Sequence, residues 1–409
     1  MTFKRIVGLG AVGALTWMML AGVAAAASEL VVWHAYRGDE KTAFEKVVSR
    51  YNASQQAVAV KTLAVPYDAY ADKITASIPR GKGPDVFIFA QDRLGGWIEA
   101  GQTIEPIDFF IDEKVTSQLV PGMMAAMTYR DTVYGLPLNY KSITMIYNTA
   151  LVKAPPKTSG ELIKLAKSMT DSKTGRFGLA YEYSNFFFHA ALMNAHGGGV
   201  FAAGAKPTIN SPQNAASLKT MMKWYKQDGI LPADPSATLI SSLFNDGKAA
   251  IVFSGPWFLG EINDAKVEYA IAPLPTVDEA GGKPLRPWLT VEGVYVSAGS
   301  RQKEAAYKFA EYLVSKDAAL ILALEGRQLP TNKSVYDDPR VQKDPKLSAF
   351  RKQLETAVVM PNYAEMTLMW SPVTTAMNKI VKGSATPEAA LGEAQKTVTE
   401  SIAKLRRSK

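Results

Sequence analysis

The sequence predicts an α/β protein of two lobes. Apolar, strand-like runs alternate with stretches of helical spacing, and that alternation restarts in the second half of the chain. After an N-terminal leader, roughly 380 residues remain, more than a single core usually fills. In chain order, Glu29–His34 reads as a buried strand, and Asp39–Tyr51 repeats Phe44, Val47, Val48 and Tyr51 at helical spacing. Val58–Leu63 is a second strand and Tyr67–Ile78 a second helix. Gly81-Lys82-Gly83-Pro84 breaks that helix, and Asp85–Ala90 is a third strand. Such alternation implies a parallel sheet with helices on both faces. Further on, Phe177–Ala180 and Ala249–Phe253 read as strands, with helices at Phe186–Asn194 and Asn214–Gln227 between them. A strand at Gly293–Ser297 precedes a helix at Lys303–Val314.

The leader is read from its own pattern. Lys4 and Arg5 open it, an apolar run from Ile6 to Val23 follows, and Ala24–Ala27 close it with small residues. These are the marks of a signal peptide covering residues 1–27, cut near Ala26 or Ala27. A retained membrane anchor is the alternative, since the run approaches the roughly 20 residues that span a bilayer. The alanine tail favours cleavage, and export to the periplasm is expected.

Composition closes off several chemistries. There is no cysteine, hence no disulfide, thiol nucleophile, thiolate metal site or lipid-modified cysteine. The three histidines, His34, His189 and His196, form no H-x-x-x-H pair, so neither a histidine metal site nor a metal cofactor is expected. The net charge of +8 is spread along the chain. The basic stretch Lys404–Lys409 reads as a solvated tail, and nucleic acid is not an expected partner.

Two features point to a ligand. In Val86–Trp97 an apolar strand ends, the polar pair Asp92-Arg93 follows, and a helix opens with Gly95-Gly96. Ligands of open α/β sheets bind beyond the carboxyl ends of strands. A carboxylate accepts hydroxyl hydrogen bonds and a guanidinium donates several, which suits a polyhydroxylated ligand. By pattern alone Asp92 could equally cap the helix and Arg93 pair with a surface acid. No phosphate-binding glycine motif is present. The second feature is aromatic. Trp257 follows a strand and the turn Ser254-Gly255-Pro256, and Trp370 stands beside Ser371-Pro372. A flat indole covers the apolar face of a pyranose while polar side chains satisfy its rim. Trp97 and Trp224 lie within helices and are expected in the core.

The chain resembles the periplasmic maltose/maltodextrin-binding proteins, sugar-binding components of ABC importers. The likeness is carried by Gly83-Pro84-Asp85, Ala90–Gly96, Leu136-Pro137, Met145–Asn148, Pro155–Thr158, Phe244–Ala250, Gly255-Pro256-Trp257 and Val359–Asn362, in shared order and spacing. It implies the two-lobed periplasmic-binding-protein fold, two three-layer α/β domains joined by a multi-strand hinge. The first lobe is expected at residues 28–138 and 297–330, the second at 142–292 and 334–409, and hinge segments near 138–142, 292–296 and 329–333.

The resemblance also implies site residues. Asp92 and Arg93 match the family's acid–base pair, Trp257 and Trp370 its stacking tryptophans, and Phe89 stands where maltose binders carry tryptophan. Asn185 and Phe187 align with an acid and an aromatic. Other positions depart from the pattern: Lys141, or its neighbour Tyr140, replaces a glutamate, Tyr36-Arg37 replaces an Asp-Lys pair, and Thr374 replaces an arginine. The implied activity is binding of an oligosaccharide, without catalysis, by a monomer that docks on membrane permease subunits. Two rivals remain. A glycoside hydrolase would need a carboxyl pair such as Asp92 and Glu292. The same fold could instead take an anionic sugar, which Lys141, Arg37 and Arg93 would favour.

Overall fold

A computed structural model describes residues 1–2, 28–120, 122–263 and 266–407; the expected leader falls, from residue 3 to residue 27, outside them. The chain builds two sheets. In the first, the strands Val58–Ala64, Ser28–His34 and Val86–Ala90 lie side by side in parallel. The central run Val86–Ala90 is buried at all five positions, as a strand covered on both faces requires. The long strand Trp288–Val296 then pairs antiparallel with Val86–Ala90 on one edge and with Gly135–Lys141 on the other. The sheet is therefore mixed and not purely parallel. The early strands are joined through helices, whereas Trp288–Val296 returns from the second sheet and is free of that constraint. It also begins earlier than the sequence indicated, because Trp288 and Leu289 pair with Val358 and Val359.

Helices cover this sheet. Gly38–Ser54 buries Phe44, Val47, Val48 and Tyr51 and carries Asp39 and Glu40 in its first turn, where acids suit the helix dipole. It packs against Lys316–Leu324, and Lys303–Leu313 packs on Trp288–Val296. Leu30, Val32, Phe44, Val86, Ile88, Leu136, Val294 and Phe309 form the core between them.

The second sheet has the order Tyr269–Ala272, Thr144–Asn148, Ala249–Ser254, Phe177–Ala180. Its core joins Met145, Leu179 and Ile251 to the helices Phe186–Ala195, Pro212–Met222, Trp370–Val381 and Pro387–Arg407. Trp97 and Trp224, expected in the core, are buried. The chain passes between sheets at Lys141–Thr144, between Ala272 and Trp288, and beyond Leu329, whose carbonyl accepts from the Tyr140 amide at 2.9 Å. Thr331 donates its amide to Leu138, so this third segment runs alongside the first. The two-lobed α/β fold is the one expected.

Candidate ligand cleft

Asp92 and Arg93 lie in the short turn Gln91–Arg93 beyond the strand Val86–Ala90, facing the second lobe. Asp92 is buried, and it does not cap the following helix, whose N-cap is Arg93 with no side-chain cap bond. Its Oδ2 sits 3.2 Å from the Arg93 Nε and accepts a hydrogen bond from the indole N–H of Trp370 at 3.1 Å. Burial pushes the carboxyl up to about 6, against the pull of Arg93 and Trp370. The helix carrying Gly95 meets the segment leading to Trp370 so closely that a Cβ on Gly95 would stand 2.4 Å from the Ala364 nitrogen. Gly95 thus serves a close backbone approach between this helix and the segment that leads to Trp370.

Lys141 is held inside the first lobe between two carboxylates, 2.9 Å from Glu40 and 3.2 Å from Glu292. Burial alone would lower its pKa; Glu292 and Glu40 outweigh it and hold the ammonium above its ordinary value. Burial pushes the Glu40 carboxyl up, with Lys141 opposing. Tyr36, buried beside them, donates its hydroxyl to Glu292 at 3.0 Å and accepts from Asn139 at 3.1 Å. Asn139 also donates to Gln328. This polar network ties together the strands and the segment that pass between lobes. Arg37, exposed at the start of the first helix, lies 2.5 Å from Glu261 of the second lobe.

The second lobe presents aromatic rings. Trp257 stands in the turn Pro256–Glu261 beyond the strand Ala249–Ser254, 6.0 Å from Phe187 and 6.3 Å from Phe188 between ring centres. Trp288 is buried between Phe186 at 4.9 Å and Trp370 at 5.9 Å, and Phe187 leans on it from 6.4 Å. The Arg93 guanidinium approaches the Trp370 ring to 5.7 Å. Asn185 is occupied as the N-cap of its helix: it accepts from the Phe187 amide at 3.0 Å and donates to Glu182 at 3.3 Å.

Two residues join this set that sequence reasoning passed over. Phe89 is buried beneath Tyr67, their rings parallel within 7° and 5.5 Å apart, so the ring turned outward is that of Tyr67, at 58 % exposure. Tyr67 opens a helix directly after a strand end, the position that draws attention to Asp92, and that was its available signal. Glu182 follows the strand Phe177–Ala180, and burial pushes its carboxyl up to about 7. Among the described residues no group of three or more metal-ligating side chains is assembled.

Residues 46–349 match the model of the bacterial extracellular solute-binding protein family, and the chain belongs to that family. Its members bind solutes and are not catalysts. The chain is 31 % identical over 360 residues to the maltotriose-binding protein of Pyrococcus abyssi (strain GE5 / Orsay), covering 87 % of this chain and 78 % of that one. It is 28 % identical to the galactooligosaccharide-binding protein of Bacillus subtilis (strain 168), covering 92 % and 90 %. A solved structure of the Thermus thermophilus maltotriose-binding protein with bound maltotriose superposes with a TM-score of 0.84 at 26 % identity, over 91 % of this chain and 100 % of that chain.

Proposed function

We infer that this chain is the oligosaccharide-binding receptor of an ABC importer, taking a maltodextrin-type sugar between its lobes and delivering it to membrane permease subunits. The observation that carries this is the pairing of two chemistries across one cleft. Asp92-Arg93 offers an acceptor and a fork of donors, and Trp257, Phe187 and Trp370 offer flat apolar faces. A pyranose has both kinds of surface. Tyr67, backed by Phe89, supplies a stacking face from the first lobe. The crossings at Lys141–Thr144, between Ala272 and Trp288, and beyond Leu329 act as the hinge about which the lobes close. The receptor works as a monomer in the periplasm. Relatives that bind maltotriose and galactooligosaccharides leave the glucose linkage as the finer part of this reading.

An anionic sugar loses its support, because each cation that favoured it faces a carboxylate: Lys141 faces Glu40 and Glu292, Arg37 faces Glu261, and Arg93 faces Asp92. Calorimetric titration with maltotriose, a galactooligosaccharide and an acidic trisaccharide tests the reading. Maltotriose is expected to bind most tightly. Binding of the acidic sugar alone would overturn the maltodextrin assignment, and sustained release of reducing ends from a maltodextrin would overturn the receptor reading.

A further inference from the structure

Charge is spread along the sequence but not evenly through the fold. Residues 28–141 and 288–330, which build most of the first lobe, carry 17 lysines and arginines against 19 aspartates and glutamates. In the second lobe four helices form one layer over a single core. Ser159–Met169 enters it through Leu162, Pro212–Met222 through Leu218, Trp370–Val381 through Ile380 and Pro387–Arg407 through Val398. Residues 150–230, 276–287 and 360–407, which make up this layer and its connections, carry 18 lysines and arginines against 10 aspartates and glutamates. That surplus equals the net charge of +8 of the whole chain.

Ion pairs tie the layer together and use up its acids. Lys167 of the first of these helices pairs with Asp228 beyond the second, Lys219 of the second with Glu388 of the fourth, and Lys379 of the third with Glu393 of the fourth. Lys164, Lys206, Lys226, Lys382, Lys396 and Lys404 are exposed, and none of the six forms a salt bridge among the described residues. Like charges gathered on one face repel one another, and a surface of opposite sign relieves that cost.

We propose that this layer is a docking face for an anionic lipid surface, holding the receptor at the membrane by its second lobe. The proposal rests on the importer-receptor reading above. Charge asymmetry between parts of a chain is the mark of such an interaction. The six ammonium groups stand on flexible stems and come from four helical segments and a short strand, so they can follow laterally mobile headgroups. A folded acidic partner would ask for a fixed arrangement. Each cation that reaches the headgroup layer strengthens adhesion roughly fivefold, until salt screens it. The chain has no cysteine to carry a lipid, so adhesion of this kind is the hold its own residues provide. The first lobe has no such surplus and stays free to move against the docked one.

Co-sedimentation of the exported protein tests the proposal, with vesicles of phosphatidylcholine alone and of an equimolar mixture with phosphatidylglycerol. Binding to the mixed vesicles only is expected, falling about tenfold or more between about 0.02 M and about 0.3 M salt. The triple variant Lys382→Glu, Lys396→Glu, Lys404→Glu should lose about tenfold or more. Arg50→Glu, Lys82→Glu, Lys114→Glu makes the same change in net charge at exposed sites of the first lobe, and should stay within about twofold of wild type. Both triple variants should unfold at the wild-type midpoint and bind maltotriose as wild type does. Equal binding to both kinds of vesicle, no binding to the mixed ones, or equal losses in the two variants would overturn the docking face. Adhesion to immobilised polyglutamate without adhesion to vesicles would overturn the lipid assignment in favour of an acidic protein. No sugar enters the sedimentation, so a failed sugar assignment and a failed docking face give different results.

Discussion

The two walls of the candidate cleft are built in opposite ways. The first lobe commits charge: Asp92 with Arg93 at the surface of the cleft, and Glu40, Lys141 and Glu292 locked behind it with Tyr36. The second commits area, with Trp257, Phe187 and Trp370 propped by the buried Trp288. Charges buried in one wall need partners fixed in place, because an unpaired ion in a poorly hydrated interior is costly. Rings need only a rigid support, and dispersion does the rest. The first wall therefore supplies direction and the second supplies contact area that is realised once the lobes meet. Substitutions should fail differently, those in the Glu40–Lys141–Glu292 set of the first wall through folding and those in the aromatic wall through binding.

The largest expected effect is in the charged wall. Lys141→Met removes the cation between the buried Glu40 and the largely buried Glu292, and the loss of folding stability should be about 3–5 kcal/mol. Urea unfolding checks it. A loss below 1 kcal/mol would mean that solvent reaches Glu40 and Glu292 and that the wall is not locked. In the aromatic wall, Trp257→Ala should weaken maltotriose binding by about 2 kcal/mol, near thirtyfold, as a central aromatic anchor does. Titration calorimetry reads that loss, and it should exceed the accompanying loss of stability. Unchanged affinity would remove Trp257 from the site.

The contrast between walls also explains what could be read from the sequence. Strands such as Val86–Ala90 and Ala249–Ser254 were legible because they are continuous apolar runs bounded by glycine, proline or polar residues. Trp257 and Asp92-Arg93 stood out as candidates because strand ends are where such a fold puts its ligands. Lys141 was not. Read singly it is a cation asking for an anion, and its two partners come from the first helix and from the strand Trp288–Val296, brought together only by the sheet. Phe89 is a similar case: its alignment with a tryptophan of maltose binders says nothing of Tyr67, which arrives from another element and covers it. Asn185 aligned with an acid, yet its side chain is used as a helix cap, and the acid at that place is Glu182.

Tyr67 sharpens the comparison, since it is an aromatic face on the otherwise polar wall. Tyr67→Ala should cost about 1 kcal/mol of maltotriose binding, roughly fivefold, within the range of a single aromatic contact. Tyr67→Phe keeps the stacked pair with Phe89 and should bind within about twofold of wild type. Equal losses in the two variants would shift the contribution from the ring to the hydroxyl and make the first wall wholly polar.

The smallest effect, and the most specific to the charged wall, is on pH. Burial raises Asp92 from the ordinary 3.8 to about 6. For folding the sign is fixed: between these values the unfolded chain has lost this proton while the folded chain keeps it, so the contribution of Asp92 to stability falls as pH rises through that window. For binding the sign is opposite, because an ionised Asp92 accepts sugar hydroxyls with its full set of lone pairs and a protonated one gives up part of that capacity. The maltotriose dissociation constant should therefore rise between pH 8 and pH 6 from this group alone, by at most about twofold, or about 0.4 kcal/mol. Glu182, raised to about 7, titrates in the same range across the cleft, so the wild-type profile holds both groups. Asp92→Asn separates them: it should bind more weakly at every pH and lose the component centred near pH 6, while Glu182→Gln keeps that component. An Asp92→Asn profile parallel to wild type would show that the acid of the charged wall stays out of the ligand's reach, leaving Arg93 as the polar contact there.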